Sequence, residues 1–156
     1  VIAVLRGYCL GGGCHLSMAC DFRFAHPSAK LGIPAANLSI VYGVRSTRRL
    51  LSLVGITHAK RILYSAERVG AKEALQIGWV DRLSDEPVKD AESFAAQVAE
   101  KAPFSIGGAK YILNEAVMGG EGALAQEMID HASDSEDYRE ARAAFAEKRR
   151  PEFKRR

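Results

Sequence analysis

The sequence predicts an α/β fold whose second half is helical, and three observations carry that prediction. The chain opens on a short, β-branched apolar run, Val1-Ile2-Ala3-Val4-Leu5, that leads into Gly11-Gly12-Gly13. Asp21-Phe22-Arg23-Phe24-Ala25 then alternates polar and apolar residues with a period of two, as a half-buried strand does. From Pro87 onward apolar residues recur at three- and four-residue spacing, Phe94 with Val98 and later Ile112, Leu113, Ala116 and Val117. That spacing puts them on one face of a helix.

In order along the chain, residues 1–8 form the first strand, the three glycines a turn, and residues 14–20 a helix of small side chains. The strand of residues 21–25 ends at His26-Pro27, because the residue before a proline is pushed out of helical conformation. Two strands joined through a helix make a parallel βαβ unit. Residues 29–45 read as loop, with one proline and scattered glycines. A helix resumes at Ser46 or Thr47, both N-cap residue types, and stops at Gly55; another runs from Thr57 through Leu63. Residues 71–77 form a short helix with Gly78 in the C′ place, followed by a strand over residues 79–83. Pro87 opens a helix to about Ala102, Pro103 breaks it, and three helical stretches follow near residues 105–117, 122–133 and 135–147. The organisation is therefore an α/β core over residues 1–83 and a helical region over residues 84–156.

With 156 residues, 47% hydrophobic and 26% charged, the chain has the composition of a globular domain and not of a disordered one. The longest apolar runs fall far short of the roughly 20 residues a membrane span needs. A net charge of +3 is too small for a nucleic-acid footprint, and the basic residues are interspersed with acidic ones. The exception is the tail, Lys148, Arg149, Arg150, Lys154, Arg155 and Arg156, which reads as a solvated terminus or as a source of one or two phosphate contacts. Cys9, Cys14 and Cys20 are odd in number and lack metal-site spacing. They suit small buried residues in a reducing compartment, so a cytoplasmic protein without disulfides, zinc or another metal is expected. The mid-strand opening at Val1, with no Met and no charged leader, reads as the C-terminal part of a longer polypeptide.

Three consecutive glycines between a strand and a helix let another group approach the backbone closely. They also expose the unpaired N–H groups of the helix start, where an anion or oxyanion is held. A dinucleotide fingerprint would need one more glycine than Gly11-Gly12-Gly13-Cys14-His15-Leu16 supplies, and no lysine-ended phosphate loop is present. Taken alone, the glycines fit a structural turn and an anion site equally.

The wider string decides between them. Residues 7–25, GYCLGGGCHLSMACDFRFA, resemble the central segment of the crotonase superfamily, the enoyl-CoA hydratase/isomerase group. The likeness continues through Ala29-Lys30-Leu31-Gly32-Ile33-Pro34, Arg49-Leu50, Val54-Gly55, Ala71-Lys72-Glu73-Ala74 with Gly78-Trp79-Val80, and Ala144-Phe145-Ala146-Glu147-Lys148-Arg149. It implies the C-terminal part of a crotonase-like (ββα-type) spiral core followed by a helical oligomerisation region. It also implies an acyl-CoA thioester as substrate, the substrate itself carrying the coenzyme A, and a homotrimer or hexamer. Two backbone N–H donors would stabilise a thioester enolate, one of them on Gly12 beside Gly11; losing such a donor costs roughly 3 kcal/mol. The second donor would lie upstream of Val1, so the chain as written is expected to be inactive by itself.

Hydratases of the family use two glutamates, and here their places hold His15 and Ala35. Alanine transfers no proton, which sets the two-carboxylate hydration in doubt. At a helix start the dipole favours a neutral imidazole, so His15 either serves as acid or base or fills the pocket and bonds to backbone. In the family's methylmalonyl-CoA decarboxylase branch an asparagine-leucine stretch leads to an active-site tyrosine, and Asn37-Leu38 and Tyr42 fall on that pattern. Decarboxylation needs an oxyanion hole and a proton donor but not the missing glutamates. Three readings follow: a hydratase-like lyase, a methylmalonyl-CoA-type decarboxylase, and a non-catalytic acyl-CoA-binding relative. Phe145 and Lys148 match positions that contact the CoA adenine region, a ring and an ammonium three residues apart on one helix face. Asp21 reads as structural, and Arg45, Arg48 and Arg49 as a basic cluster at a helix start serving either a surface or an anionic group of the substrate.

Overall fold

The computed structural model describes residues 1–154; Arg155 and Arg156 of the basic tail lie outside the described residues. The chain divides into two compact units, Val1–Ser93 and Phe94–Arg156.

In the first unit the opening apolar run becomes two strands, not one. β1 (Ile2–Leu5) and β2 (Tyr8–Leu10) are separated at Gly7, whose φ of 62° is one that a side chain disfavours. The turn sends them into different sheets. β1 pairs in parallel with β3 (Phe22–Ala25), from Ile2 opposite Phe22 to Leu5 opposite Ala25, and β3 pairs in parallel with β6 (Arg82–Leu83). β2 pairs in parallel with β4 (Lys30–Gly32), and β4 antiparallel with β5 (Arg68–Gly70). The expected parallel βαβ unit is thus β1 and β3 around α1 (Gly12–Ala19).

Residues 29–45 are more ordered than expected, since they hold β4 and a 3-10 turn, Ala36–Leu38. Three-residue strands show no periodicity, and β4 and β5 exist because each satisfies its backbone groups against a distant partner. The two expected helices after them are segments of α2 (Val44–Ser65), joined across a kink at Gly55 with φ 71°. Gly43 takes the N-cap, and Ser46 lies inside the first turn, buried. α3 (Ala71–Gln76) is followed by Gly78 at φ 83°, in the C′ place as expected. Of the strand expected over residues 79–83 only Arg82 and Leu83 pair, while Trp79 and Val80 enter the core.

That core is built from all these elements. Leu31, Ile33, Leu50, Ile62, Val69 and Trp79 are shut from solvent, each contributing roughly 1.5–3 kcal/mol of burial. Leu50 and Val54, one turn apart on α2, face inward together. A charged tie fixes the edge of the first sheet: the buried Arg23 guanidinium meets the Asp81 carboxylate at 2.8 Å, and the Arg23 backbone N–H donates to the same oxygen at 2.6 Å.

α4 (Pro87–Ala99) runs across the boundary between the units. The second unit holds α5 (Pro103–Met118), α6 (Ala125–Asp134) and α7 (Glu136–Ala146). Pro103 occupies the first turn of α5, where no N–H is needed. Ser135 caps α7, its hydroxyl accepting the Tyr138 N–H at 3.1 Å and donating to the Ala132 carbonyl at 2.7 Å. A groove of about 480 Å³ opens between α5, α6 and α7, lined among others by Phe104, Ile112, Met128 and Ile129. After α7 the chain folds back on it. Arg149 binds Glu140 through both carboxylate oxygens at 2.5 and 2.9 Å, and Glu147 at 2.6 Å. That guanidinium, aided by the Glu152 N–H, holds the Glu140 carboxyl down to about 2. Within the tail, then, Arg149 is engaged internally. No described helix is long and apolar enough to cross a membrane.

Candidate active site

The glycine turn is the centre of the site. Gly11 is the N-cap of α1 with φ 50° and ψ −107°, a conformation for glycine alone. Its N–H is held by the Gly32 carbonyl at 2.8 Å and its own carbonyl accepts the His15 N–H at 3.0 Å. β2, β4 and α1 are thereby locked around the turn. Gly12, Gly13 and Cys14 follow as the first three helical residues, whose N–H groups have no acceptor within the helix. Gly12 does not have a positive φ, and a Cβ there would meet nothing within 4 Å. Packing inside this chain gives no reason for glycine at that position.

Below the turn lie two thiols. Cys14 donates to the Cys9 carbonyl at 2.8 Å and to the Gly32 carbonyl at 3.3 Å, while Cys9 reaches the Ser17 hydroxyl at 3.8 Å. Hydrogen bonding from Cys14 lowers the Cys9 thiol to about 7 against the opposing effect of burial, and Cys14 itself is pushed up by its bond to Cys9 and by burial. All three cysteines are free thiols; Cys9 and Cys14 are buried as expected, and Cys20, the C-cap of α1, is half-exposed.

His15, one turn into α1, is exposed, and its ring meets the start of α2. The buried Ser46 hydroxyl lies 3.1 Å from Nδ1 and 3.0 Å from Nε2 of that ring. Tyr42, on the segment entering α2, presents its ring at 6.1 Å and 65° to the imidazole. Its hydroxyl is buried without a hydrogen-bond partner. Burial, then the nearby Cys14 thiol, push the phenol up; Ser46 pulls the other way without reaching hydrogen-bond geometry. The structure thus brings Gly12, His15 and Tyr42 into one region through Gly11 and α2. Ser46, whose sequence context reads as a helix cap, instead meets the His15 ring 31 residues earlier, and no local spacing signals that contact.

Ala35 is buried in the core, so the side chain at that place offers no acid or base. Leu16, Ile40, Val41 and Val44, by contrast, leave apolar side chains exposed along α1 and the approach to α2. Arg45 and Arg48 are exposed on the first turns of α2, Arg49 is half-exposed, and Asp21 follows the C-cap of α1. Phe145 is 87% exposed on α7 in the second unit. Lys148 is not on that helix: Glu147 is the C-cap and Lys148 turns out at φ 55°, so the expectation of a shared helix face is corrected. Left-handed backbone beyond the cap redirects the side chain. Among the described residues no three His, Cys, Asp or Glu side chains gather as a metal site requires.

The first unit is thus an α/β unit whose glycine-built helix start carries backbone N–H groups with no acceptor within the helix. The family model described as enoyl-CoA hydratase/isomerase matches residues 1–156. The chain is 39% identical over 160 residues to a Bacillus subtilis (strain 168) protein named "Probable enoyl-CoA hydratase", covering 99% of this chain and 62% of the relative. It is 36% identical over 157 residues to the short-chain-enoyl-CoA hydratase of Clostridium acetobutylicum, covering 97% and 60%. The crystal structure of enoyl-CoA hydratase subunit I from Geobacillus kaustophilus superposes with a TM-score of 0.89 at 34% identity, over 99% of this chain and 62% of that one. The chain therefore belongs to the enoyl-CoA hydratase/isomerase family and has the crotonase-like α/β fold, spanning about 60% of the length of these relatives.

Proposed function

We propose that the protein carrying this chain is an acyl-CoA-processing enzyme that stabilises a thioester enolate, a hydratase-like lyase in which His15 and Tyr42 serve where the family's glutamates would. The observation that carries this reading is the Gly12 N–H, at a helix start where no contact within this chain requires a glycine. A thioester oxygen there gains a preorganised donor as negative charge develops on it. The second donor is expected from the part of the relatives' length that this chain does not span. His15 supplies an exposed imidazole able to pass a proton, and the Tyr42 phenol, held protonated by burial, is a donor. Phe145 and Lys148 are proposed to meet the CoA adenine and a phosphate, and the helical region to assemble a homotrimer or hexamer. Three free cysteines, two of them buried in the core region, fit a reducing cytoplasm.

A second reading, methylmalonyl-CoA-type decarboxylation, is favoured by one feature: Tyr42 carries a buried, unpartnered hydroxyl while Ala35 offers no carboxylate. Incubating the intact protein with crotonyl-CoA and with methylmalonyl-CoA in isotope-labelled water, with mass analysis of the thioesters, separates the two. Gain of labelled water by crotonyl-CoA supports the lyase; loss of carbon dioxide from methylmalonyl-CoA supports the decarboxylase. Tight acyl-CoA binding with no turnover of any thioester overturns both in favour of a non-catalytic binder.

A further inference from the structure

The enolate reading makes no use of the thiols beneath the glycine turn. Cys9, in the middle of β2, and Cys14, in the first turn of α1, stand five residues apart across the turn at Gly11. Their side chains hydrogen-bond to each other, and the Cys14 thiol reaches the Cys9 carbonyl at 2.8 Å and the Gly32 carbonyl at 3.3 Å. The Ser17 hydroxyl lies 3.8 Å from the Cys9 sulfur and donates to the Cys14 carbonyl at 3.0 Å.

The two thiols differ in access. Cys14 is shut from solvent, whereas Cys9 keeps 7% exposure and lies against Gly13, an exposed residue without a positive φ. A Cβ on Gly13 would meet the Cys9 sulfur at 3.6 Å, so any side chain there would help to cover it. The two also differ in reactivity. The Cys9 sulfur lies beside the first turn of α1, at the positive end of the helix dipole, which favours the nucleophilic thiolate. Hydrogen bonding from Cys14 acts the same way and lowers Cys9 to about 7, while Cys14 is pushed up and keeps its proton.

We propose that Cys9 and Cys14 are a redox modification site that closes to a disulfide when a hydroperoxide reaches Cys9. The Cys9 thiolate attacks a peroxide oxygen; the S–O bond forms, the O–O bond breaks, and the departing hydroxide takes up the proton Cys9 released, giving water and a sulfenic acid. The Cys14 sulfur then attacks the Cys9 sulfur, the S–O bond breaks, and hydroxide leaves with the Cys14 proton as a second water. Both sulfurs are oxidised and both peroxide oxygens reduced. In a reducing compartment such a bond is transient, as sensing disulfides are. Once oxidised, Cys14 has no proton to give the Cys9 and Gly32 carbonyls, so the contacts tying the first turn of α1 to β2 and β4 are lost. The Gly12 N–H lies in that turn. Its loss of function rests on the enolate reading; the disulfide does not.

The intact protein is treated with hydrogen peroxide, then unfolded, alkylated with iodoacetamide and mapped by mass spectrometry. Arg6 and Arg23 bound one tryptic peptide that carries all three cysteines. In the oxidised protein that peptide is expected to be two hydrogens lighter and alkylated at Cys20 alone. Cys14→Ala is expected to stop at the sulfenic acid, trapped on Cys9 by dimedone. Gly13→Ala, which covers the Cys9 sulfur, is expected to slow the oxidation at least about threefold. On the substrate that turns over, the disulfide lowers kcat/KM by about tenfold or more, toward the 10²-fold that a displacement of about 1 Å costs, and dithiothreitol restores it. Alkylation of Cys9 and Cys14 after peroxide overturns the proposal in the parent, without any variant having to fold, and so does a disulfide that includes Cys20. An undiminished rate in Gly13→Ala overturns the access beside Gly13, and a complete disulfide with unchanged kcat/KM overturns its coupling to the turn. Absence of turnover on every thioester sinks the enolate reading alone, because the peptide mass still reads the thiol pair.

Discussion

Gly11 and Gly12 are neighbours, yet they are glycine for opposite reasons, and replacing each by alanine separates folding from chemistry. Gly11 adopts φ 50° and ψ −107°, and a methyl group on its Cα would meet nothing within 4 Å, so Gly11→Ala incurs backbone strain and no clash. Strain of that kind costs about 1–3 kcal/mol. Gly12 has no positive φ and equally open surroundings, so Gly12→Ala gains helix propensity, about 0.5 kcal/mol after allowing for its place in the first turn. The two variants are expected to differ in stability by roughly 1.5–3.5 kcal/mol, with the parent between them. Activity runs the other way. A Cβ at Gly12 leans toward the helix N-terminus, the side from which a thioester oxygen would approach the N–H. Displacing a reacting group by about 1 Å costs on the order of 10²-fold. Urea unfolding and kcat/KM of the intact protein read both effects. A Gly12→Ala protein within threefold of the parent in kcat/KM refutes the oxyanion assignment. A Gly11→Ala protein as stable as the parent refutes the account of the turn.

Three further outcomes follow from the packing and the charges. Asp81→Asn leaves the Arg23 guanidinium, only 4% exposed, without its carboxylate; because Asp81 itself is 32% exposed the loss is about 3 kcal/mol, at the low end for a broken buried pair, and a urea midpoint unchanged from the parent contradicts it. Ser135→Ala removes the α7 cap and should lower stability by about 1 kcal/mol, read in hydrogen exchange as lost protection of the Tyr138 amide. The thiol pair makes stability depend on pH: with Cys9 lowered to about 7 from an ordinary value of 9.0, the folded protein releases that proton first, so stability rises between about pH 7 and 9. Above pH 9 it falls, because Cys14 is pushed up and keeps its proton in the fold while the unfolded chain loses it. Cys14→Ala should flatten both limbs in urea titrations, and a parent profile already flat from pH 7 to 10 contradicts the assignment.

Much of the site was legible because its signals are local. Gly11-Gly12-Gly13 announces a turn and a helix start through what glycine backbone permits, and β1, α1 and β3 stand close to where periodicity put them. The string around the glycines was also enough to reach the family. His15 and Tyr42 were named from their places in that string; that Tyr42 would meet the His15 ring edge-on was not.

Other features depended on contacts between residues far apart. Gly7 splits one apolar run between two sheets, a choice made by which distant strand each half pairs with. β4 and β5 are too short to carry a period and are strands only by pairing. Lys148 left the face of α7 because Glu147 caps the helix and the backbone turns left-handed at Lys148. Ser46 gives the clearest contrast: its sequence neighbours mark a helix start, and its hydroxyl meets an imidazole 31 residues away. The sequence by itself determined the glycine-built helix start, the apolar periodicities and the family, since these rest on the dihedral freedom and patterning of consecutive residues. Only the tertiary structure decided the division of the strands and the His15–Ser46–Tyr42 grouping, since closing the chain over tens of residues is what brings those atoms within hydrogen-bond and van der Waals range.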